Sequence, residues 1–326
     1  MTGNNPQKIL LFSRDPGGTN QLVAVRDLLL SANRQDRQIF APLGLSAAIP
    51  AIRIVAKDYA RDIWKRLDAD YHDWAEVGLG RLFEDFVPDL VLTATGHVDD
   101  HSEQEVWRQA RSQDIPSAAF LDSADHVQDR FLDATGGKIF PDHVYVFDRQ
   151  SAADLSGMDF PADHIHITGD LYAGYLGRQD NPEAVRDIWS AWNSQPGESI
   201  ILFASDYISE IGLAGFEDKV SEFECLDYLI DGLEELAAAS GLSGPFRLVI
   251  RMHPKDTPGK YDAYPDKSQL GLTIMINNQG LSQDAVRAAD LVAGMRSALL
   301  REAEVFGTPV LRLIPLVLNK GPQKSA

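Results

Sequence analysis

Two stretches of this chain, Arg251-Met-His-Pro254 and Gly294-Met-Arg-Ser297, have residue types suited to holding an anion. Ser297 stands where a helix with apolar spacing should begin, and serine is a favoured N-cap. Gly307 ends that helix and Thr308-Pro309 stops its continuation. The helix start offers free N–H groups at a positive dipole end, a ready place for phosphate. Gly294 is expected to take a φ closed to other residues and so turn the chain sharply off a strand. Arg251 brings a planar fork that pairs with phosphate oxygens two at a time. Glu302, more than one turn into the helix, is placed to offer a carboxylate to a ribose beside that phosphate. The same residues also suit a capped helix with a surface glutamate in any α/β domain.

Open α/β sheets bind ligands beyond the carboxyl ends of their strands. Polar residues directly after expected strands are therefore the candidates. In the first half these are Arg14 to Asn20 (with Asp15, Gly17, Gly18 and Asn20), Thr95 to His101, Asp122, and Thr168 to Asp170. In the second half they are Ser205, Arg251, His253, and Gly294 to Ser297, which includes Arg296. A base that takes a hydroxyl proton must sit at such an edge; Asp122, Asp15, His97 and Asp99 qualify. Asp122 also suits a cap after a strand, and His97 a hydrogen-bonded loop histidine.

Arg251, His253 and Pro254, followed by Gly294, Ser297, Glu302, Ala303, Gly307 and Pro309, form a pattern. It resembles the donor-nucleotide half of GT-B glycosyltransferases and their relatives, the UDP-N-acetylglucosamine 2-epimerases and the CDP-glycerol polymer transferases. The chain departs from the epimerases at Met295-Arg296, which stands in place of their Ser/Gly-rich turn. The resemblance implies two Rossmann-like doubly wound domains facing a cleft, a nucleotide-sugar donor as co-substrate, no cofactor, and transfer without a metal. Phe120-Leu-Asp-Ser123 with Arg130-Phe131 also resembles these enzymes, which ranks Asp122 first as the base. Epimerisation, glycerophosphate transfer and nucleotide-sugar binding without turnover are the alternatives on the same scaffold.

The elements that must position these residues alternate as βα units, the pattern of parallel sheets with crossover helices. In the first half the expected strands are Lys8 to Ser13, Ile39 to Leu43, Asp89 to Ala94, Ser117 to Leu121, His143 to Phe147 and His164 to Ile167. A helical segment is expected near Ala47 to Ile52, and Asp58 to Phe86 reads as mainly helical, with Trp64 and Trp74 in the core. Another helix should run from Glu103 to Gln113. The turn Arg14 to Asn20 is not Gly-x-Gly-x-x-Gly and lacks a Walker lysine, so neither a dinucleotide site nor an ATPase is expected. In the second half strands are expected at Glu198 to Ala204, Phe246 to Ile250, Leu272 to Ile276, Asp290 to Ala293 and Val310 to Ile314, with a helix over Lys219 to Ala239 and a short one from Gln283. The domains are placed at 1–178 and 197–326, with residues 179–196 as a linker.

The chain's 326 residues are comfortable for two domains. Its net charge of −18 argues against nucleic acid and against an anionic lipid face, which favours a soluble acceptor. Cys225 is the only cysteine, which rules out an internal disulfide and a cysteine-rich zinc site. No Asp/Glu spacing resembles a dedicated cation site, so no metal is expected. No apolar run reaches the roughly 18 residues of a membrane span, and Met1 to Lys8 lacks a secretory core, so a cytoplasmic enzyme is expected, free to form a homo-oligomer.

Overall fold

The computed structural model describes residues 7–45, 48–96, 100–124, 126–216 and 218–319. It divides into two compact units, Met1–Tyr175 and Leu176–Ala326. Among the described residues, no helix is long and apolar enough to cross a membrane.

The first unit begins with β1 (Lys8–Ser13), α1 (Pro16–Leu30), β2 (Ala51–Ala56), α2 (Ala60–Arg66) and the two-residue β3 (His72–Asp73). It continues with α3 (Leu79–Phe86), β4 (Leu90–Ala94), α4 (Ser102–Ser112), β5 (Ser117–Phe120), β6 (His143–Val146), α5 (Arg149–Ser156) and β7 (Ile165–Ile167). The division between units falls within α6 (Leu171–Arg178). All strands are parallel in the order β3-β2-β1-β4-β5-β6-β7. A parallel strand covered on both faces should be apolar without alternation, and Ile9, Leu10, Leu11 and Phe12 of β1 are all fully buried. Leu10 and Phe12 face α3 and α4 through Phe83, Phe86 and Val106, while α1 packs over β1, β4 and β5.

The second unit carries α7 (Pro182–Ala191), β8 (Ser199–Ala204), α8 (Ile208–Ile211), α9 (Glu222–Asp231), α10 (Leu233–Ala239) and β9 (Phe246–Arg251). Then come β10 (Leu272–Ile276), α11 (Ser282–Ala288), β11 (Leu291–Gly294), α12 (Ala298–Phe306), β12 (Val310–Arg312) and α13 (Leu313–Asn319). Its five strands are parallel in the order β10-β9-β8-β11-β12. Successive side chains of β8 point to opposite faces. Ile201 and Phe203 join α9 and α10 in one core layer, and Ile200 and Leu202 join α7, α11 and α12 in the other.

Several expected elements differ. Ile39 to Leu43 lies within a 3-10 helix, Asp36–Leu43, and the strand beside β1 falls later, at Ala51–Ala56. Pro42 has no N–H to give a ladder, and Phe40 is instead buried against Phe120 and Tyr145. The expected helix near Ala47 to Ile52 overlaps that strand, and Ala47 itself lies outside the described residues. Asp58 to Phe86 breaks into α2, β3 and α3, and the Lys219 to Ala239 helix breaks at Gly232. The last strand stops at Arg312, where α13 begins. Residues 179–196 are not a bare linker, because α7 places Ile188 and Trp192 in the second unit's core.

Gly17 and Gly18 form the first turn of α1 rather than a flexible loop. A Cβ on Gly18 would stand 2.5 Å from the carbonyl oxygen of Thr95 and 2.6 Å from Cβ of Ala94, so α1 sits directly on the end of β4. Gly18→Ala should cost about 1–3 kcal/mol through this overlap. Gly80→Ala, in α3 with open space around it, should instead stabilise by roughly 0.5–1 kcal/mol. Denaturant titration of both variants checks this; equal stabilities would remove the close contact as a constraint.

Candidate functional site

In each unit the strand order reverses beside the first strand: β2 and β4 flank β1, and β9 and β11 flank β8. These switch points are where doubly wound sheets leave a crevice.

At the second unit's switch point, Gly294 ends β11. Its φ is not in the left-handed region, contrary to expectation. Glycine is needed there because a Cβ would meet the carbonyl oxygen of Ala204, on β8, at 2.9 Å. Ser297 caps α12 as expected, its hydroxyl accepting the N–H of Leu299 at 3.4 Å, and Gly307 closes the helix at φ 72°. The N–H of Arg296, just ahead of that cap, is given to Oδ2 of Asp206 at 2.9 Å. The Arg296 guanidinium pairs with Asp218 and lies 5.1 Å from the ring centroid of Phe216.

Arg251 does not present an open fork. It is 7% exposed and donates to the backbone carbonyls of Gln279 (3.0 Å) and Gly280 (2.8 Å), holding the segment between β10 and α11. His253 stacks on Tyr207 with ring centroids 4.4 Å apart. Its Nδ1 accepts the N–H of Lys255 at 3.1 Å, which leaves the proton on Nε2. Burial above all, with Lys255 and Lys260 adding and Asp256 opposing, draws its pKa down to about 4, so the ring is a neutral donor at pH 7. Ser205, expected to touch substrate, is enclosed: its hydroxyl lies 2.7 Å from Oδ2 of Asp256 and 2.6 Å from the Tyr261 hydroxyl. Glu302 is buried on α12 and accepts from the Ser282 hydroxyl at the start of α11.

Glu210, Glu222 and Asp256 bring carboxylate oxygens within 4.8 Å of one another, the only such metal-like group among the described residues. It already encloses a cation, since Nζ of Lys260 lies 2.9 Å from Glu210, 2.6 Å from Asp256, and against Glu222.

In the first unit, Asp15 precedes α1, with Pro16 opening the helix. Arg14 links Asp15 (3.2 Å), Asp58 (2.8 Å) and Asp100 (3.4 Å). Against the effect of burial, hydrogen bonds from Lys57 and Ser102 and the charge of Arg14 lower Asp100 to about 2. Asp122 accepts from the Thr95 hydroxyl at 2.5 Å and lies 2.8 Å from Nε of Arg130. Burial raises its pKa, while Arg130 and Thr95 pull it back. A Cβ on Gly17 would stand 3.5 Å from the Asp122 carbonyl oxygen, and Asn20 lies half-buried in the next turn of α1. His97 and Asp99 lie outside the described residues.

Glu103, which the sequence reading used only as a helix start, is 4% exposed. Burial pushes its pKa up to about 8, so it is mainly a neutral acid at pH 7. Its Oε1 has no hydrogen-bond partner among the described residues. A Cβ on Gly96 would meet that oxygen at 2.8 Å and Oδ2 of Asp15 at 3.1 Å, so two carboxyl groups converge on one glycine. Beside them is a cavity of about 10 Å³ lined by Thr95, Gly96, Glu103, Gln104 and Arg130, the lower limit for one water. A neutral Glu103 close to charged Asp100 is the environment-driven splitting of carboxyl pKa values that acid–base chemistry uses. The signal was present in the sequence: Glu103, Val106, Trp107 and Ala110 share one helical stripe that is otherwise apolar.

No family model matches this sequence, and no curated protein matches it. Solved structures do match in fold. UDP-GlcNAc 2-epimerase from Neisseria meningitidis, bound to UDP-GlcNAc, is 15% identical with a TM-score of 0.62, over 97% of this chain and 86% of that one. The Methanocaldococcus jannaschii UDP-GlcNAc 2-epimerase is 12% identical with a TM-score of 0.59, covering 97% and 87%. A glycosyltransferase from Rickettsia africae is 10% identical with a TM-score of 0.50, covering 95% and 80%. The chain thus has the two Rossmann-like units of the GT-B fold.

Because folding raises the Glu103 pKa from 4.5 to about 8, the native state keeps a proton that the unfolded state has released. The stability this contributes is complete below about pH 4.5 and is lost as pH rises through 8. Glu103→Gln should therefore lose less melting temperature than the wild type between pH 5 and pH 9. Parallel melting curves for the two proteins would show that Glu103 is charged in the fold.

Proposed function

We propose that this chain binds a nucleotide-sugar through its second unit and transfers the sugar to a soluble acceptor without a metal ion. The observation that carries the reading is the β8–β11 edge. There the start of α12 with its Ser297 cap and the Arg251–His253 stretch at the end of β9 gather beside a switch point. His253 supplies a neutral N–H donor for a phosphoryl oxygen. Arg251 is a positioning residue, acting through the Gln279 and Gly280 carbonyls it holds. Support for the ligand class comes from the Neisseria meningitidis structure of similar fold, which is bound to UDP-GlcNAc. The positive charge of Lys260 within the three-carboxylate group of Glu210, Glu222 and Asp256 supports a metal-independent reaction. The net charge of −18 supports an acceptor that is not part of an anionic lipid surface.

Asp122, its pKa raised by burial and its carboxylate held by Thr95 and Arg130, is assigned as the base that takes the acceptor proton. Asp15 is a neighbouring carboxyl group that opposes its charge. Epimerisation is the second reading, favoured by UDP-GlcNAc 2-epimerases that match in fold, among them two with TM-scores of 0.62 and 0.59.

A melting-temperature panel of UDP, CDP, GDP and ADP tests the reading, since a ligand that binds only the folded state stabilises it. One of them should raise the melting temperature, and His253→Ala should weaken its binding roughly ten- to a hundredfold by calorimetry. If none stabilises the protein, the nucleotide-sugar reading fails. With turnover in hand, release of nucleoside diphosphate only when acceptor is added marks transfer; sugar interconversion without acceptor marks epimerisation. An activity lost in EDTA and restored by Mg²⁺ would contradict the metal-free reading.

Asp122→Asn should lower kcat by roughly 10²–10⁴ and leave the donor Kd unchanged. Wild-type turnover in this variant would move the base elsewhere.

A further inference from the structure

The turn that should receive phosphate already holds an anion of the protein's own. Asp206 follows Ser205 at the end of β8, and its Oδ2 accepts the N–H of Arg296 at 2.9 Å, immediately ahead of the Ser297 cap. The turn lies close to β8, since even a Cβ on Gly294 would stand 2.9 Å from the Ala204 carbonyl oxygen. Arg296 engages Asp218 with its guanidinium, so its charge is shared with another acid.

The groups around Asp206 leave that carboxylate poorly compensated. Glu222 and Cys225 face it from α9, and Asp256 from the segment after β9. Lys260 reaches the Asp206 carbonyl at 3.1 Å, but its ammonium is divided among Glu210, Glu222 and Asp256. Burial, helped by Glu222 and Asp256 and opposed by Arg296, raises the Asp206 pKa to about 6. A phosphate arriving beside it adds further negative charge and pushes it higher.

Resting on the nucleotide-sugar reading, we propose that Asp206 is the specificity-determining residue of the phosphate subsite, and that a diphosphate diester enters there only together with one proton. The proton passes from solvent to the Asp206 carboxylate, which gives up its claim on the Arg296 N–H. The neutral carboxyl then donates its O–H to a phosphoryl oxygen. Affinity therefore rises as pH falls from 8 toward 6 and levels off below the pKa of the ligand-free site. His253, with its pKa near 4, contributes nothing to that slope.

The test uses UDP-N-acetylglucosamine, GDP-mannose and ADP-glucose, whose diester phosphates do not titrate in this range. Binding is measured by calorimetry at pH 6, 7 and 8 in buffers of different ionisation heat, on the wild type and on Asp206→Asn. The amide keeps an acceptor for the Arg296 N–H, and melting curves verify the fold. Wild-type Kd for the diester that binds should tighten at least tenfold from pH 8 to pH 6, with proton uptake approaching one per ligand at pH 7. Asp206→Asn should bind at least tenfold tighter than the wild type at pH 8 and show no slope. Equal wild-type affinities at pH 6 and 8, or the same slope in the variant, overturn the proposal and leave the nucleotide-sugar reading standing. Failure of all three diesters to bind either protein at any pH overturns that reading, and the role of Asp206 falls with it.

Discussion

Both candidate sites depend on backbone approaching backbone where a side chain would collide. Gly18 lets the first turn of α1 rest on the Thr95 carbonyl, and Gly294 lets the turn before α12 rest on the Ala204 carbonyl. Each contact lies at the reversal of strand order in its own sheet. With the helix start and the strand end pinned together, the residues that follow have little freedom. Asp122 comes to Thr95 in the first unit, and Asp206 comes to Arg296 in the second. The same device, a glycine chosen for the volume it lacks, builds both edges.

On these edges sit buried and half-buried acids. Some are compensated in the ordinary way: Asp100 by Lys57 and Arg14, and Glu222 with Asp256 by Lys260. Glu103, Asp122 and Asp206 are different, because burial outweighs their partners and holds the proton on more tightly. Groups of that kind cluster where a protein moves protons or admits charge. The excess of acid over base in the whole chain is thus partly organised at the sheet edges rather than spread as a solvated surface.

Burial also separates donors that sequence types make look alike. Arg251 and His253 stand two residues apart in a stretch whose residue types suit an anion. The arginine spends its fork on two carbonyls, whereas the histidine keeps Nε2–H after Nδ1 accepts from Lys255. Ser205 and Ser297 divide in the same way, one enclosed by Asp256 and Tyr261, the other capping a helix start.

The sequence alone determined the alternation of parallel strands and helices, because uninterrupted apolar runs such as Ile9 to Phe12 and amphipathic stripes are local properties of the chain. It also determined the cap at Ser297 and the stop at Gly307, since cap chemistry is written within a few residues, whereas Gly18 and Gly294 serve close approaches to Thr95 and Ala204 far off in the chain. The strand at Ala51–Ala56 was missed because its pairing with β1 outweighs weak local preference, and the breaks at Gly232 and Arg312 because packing decides where a helix or strand ends. What only the tertiary structure decided is which carboxyl groups are charged. Glu103 is buried by α4 turning its stripe onto the sheet, and Asp206 meets the Arg296 N–H across 90 residues of chain. Desolvation and long-range partners set those protonation states, and neither has a signature at the level of neighbouring residues.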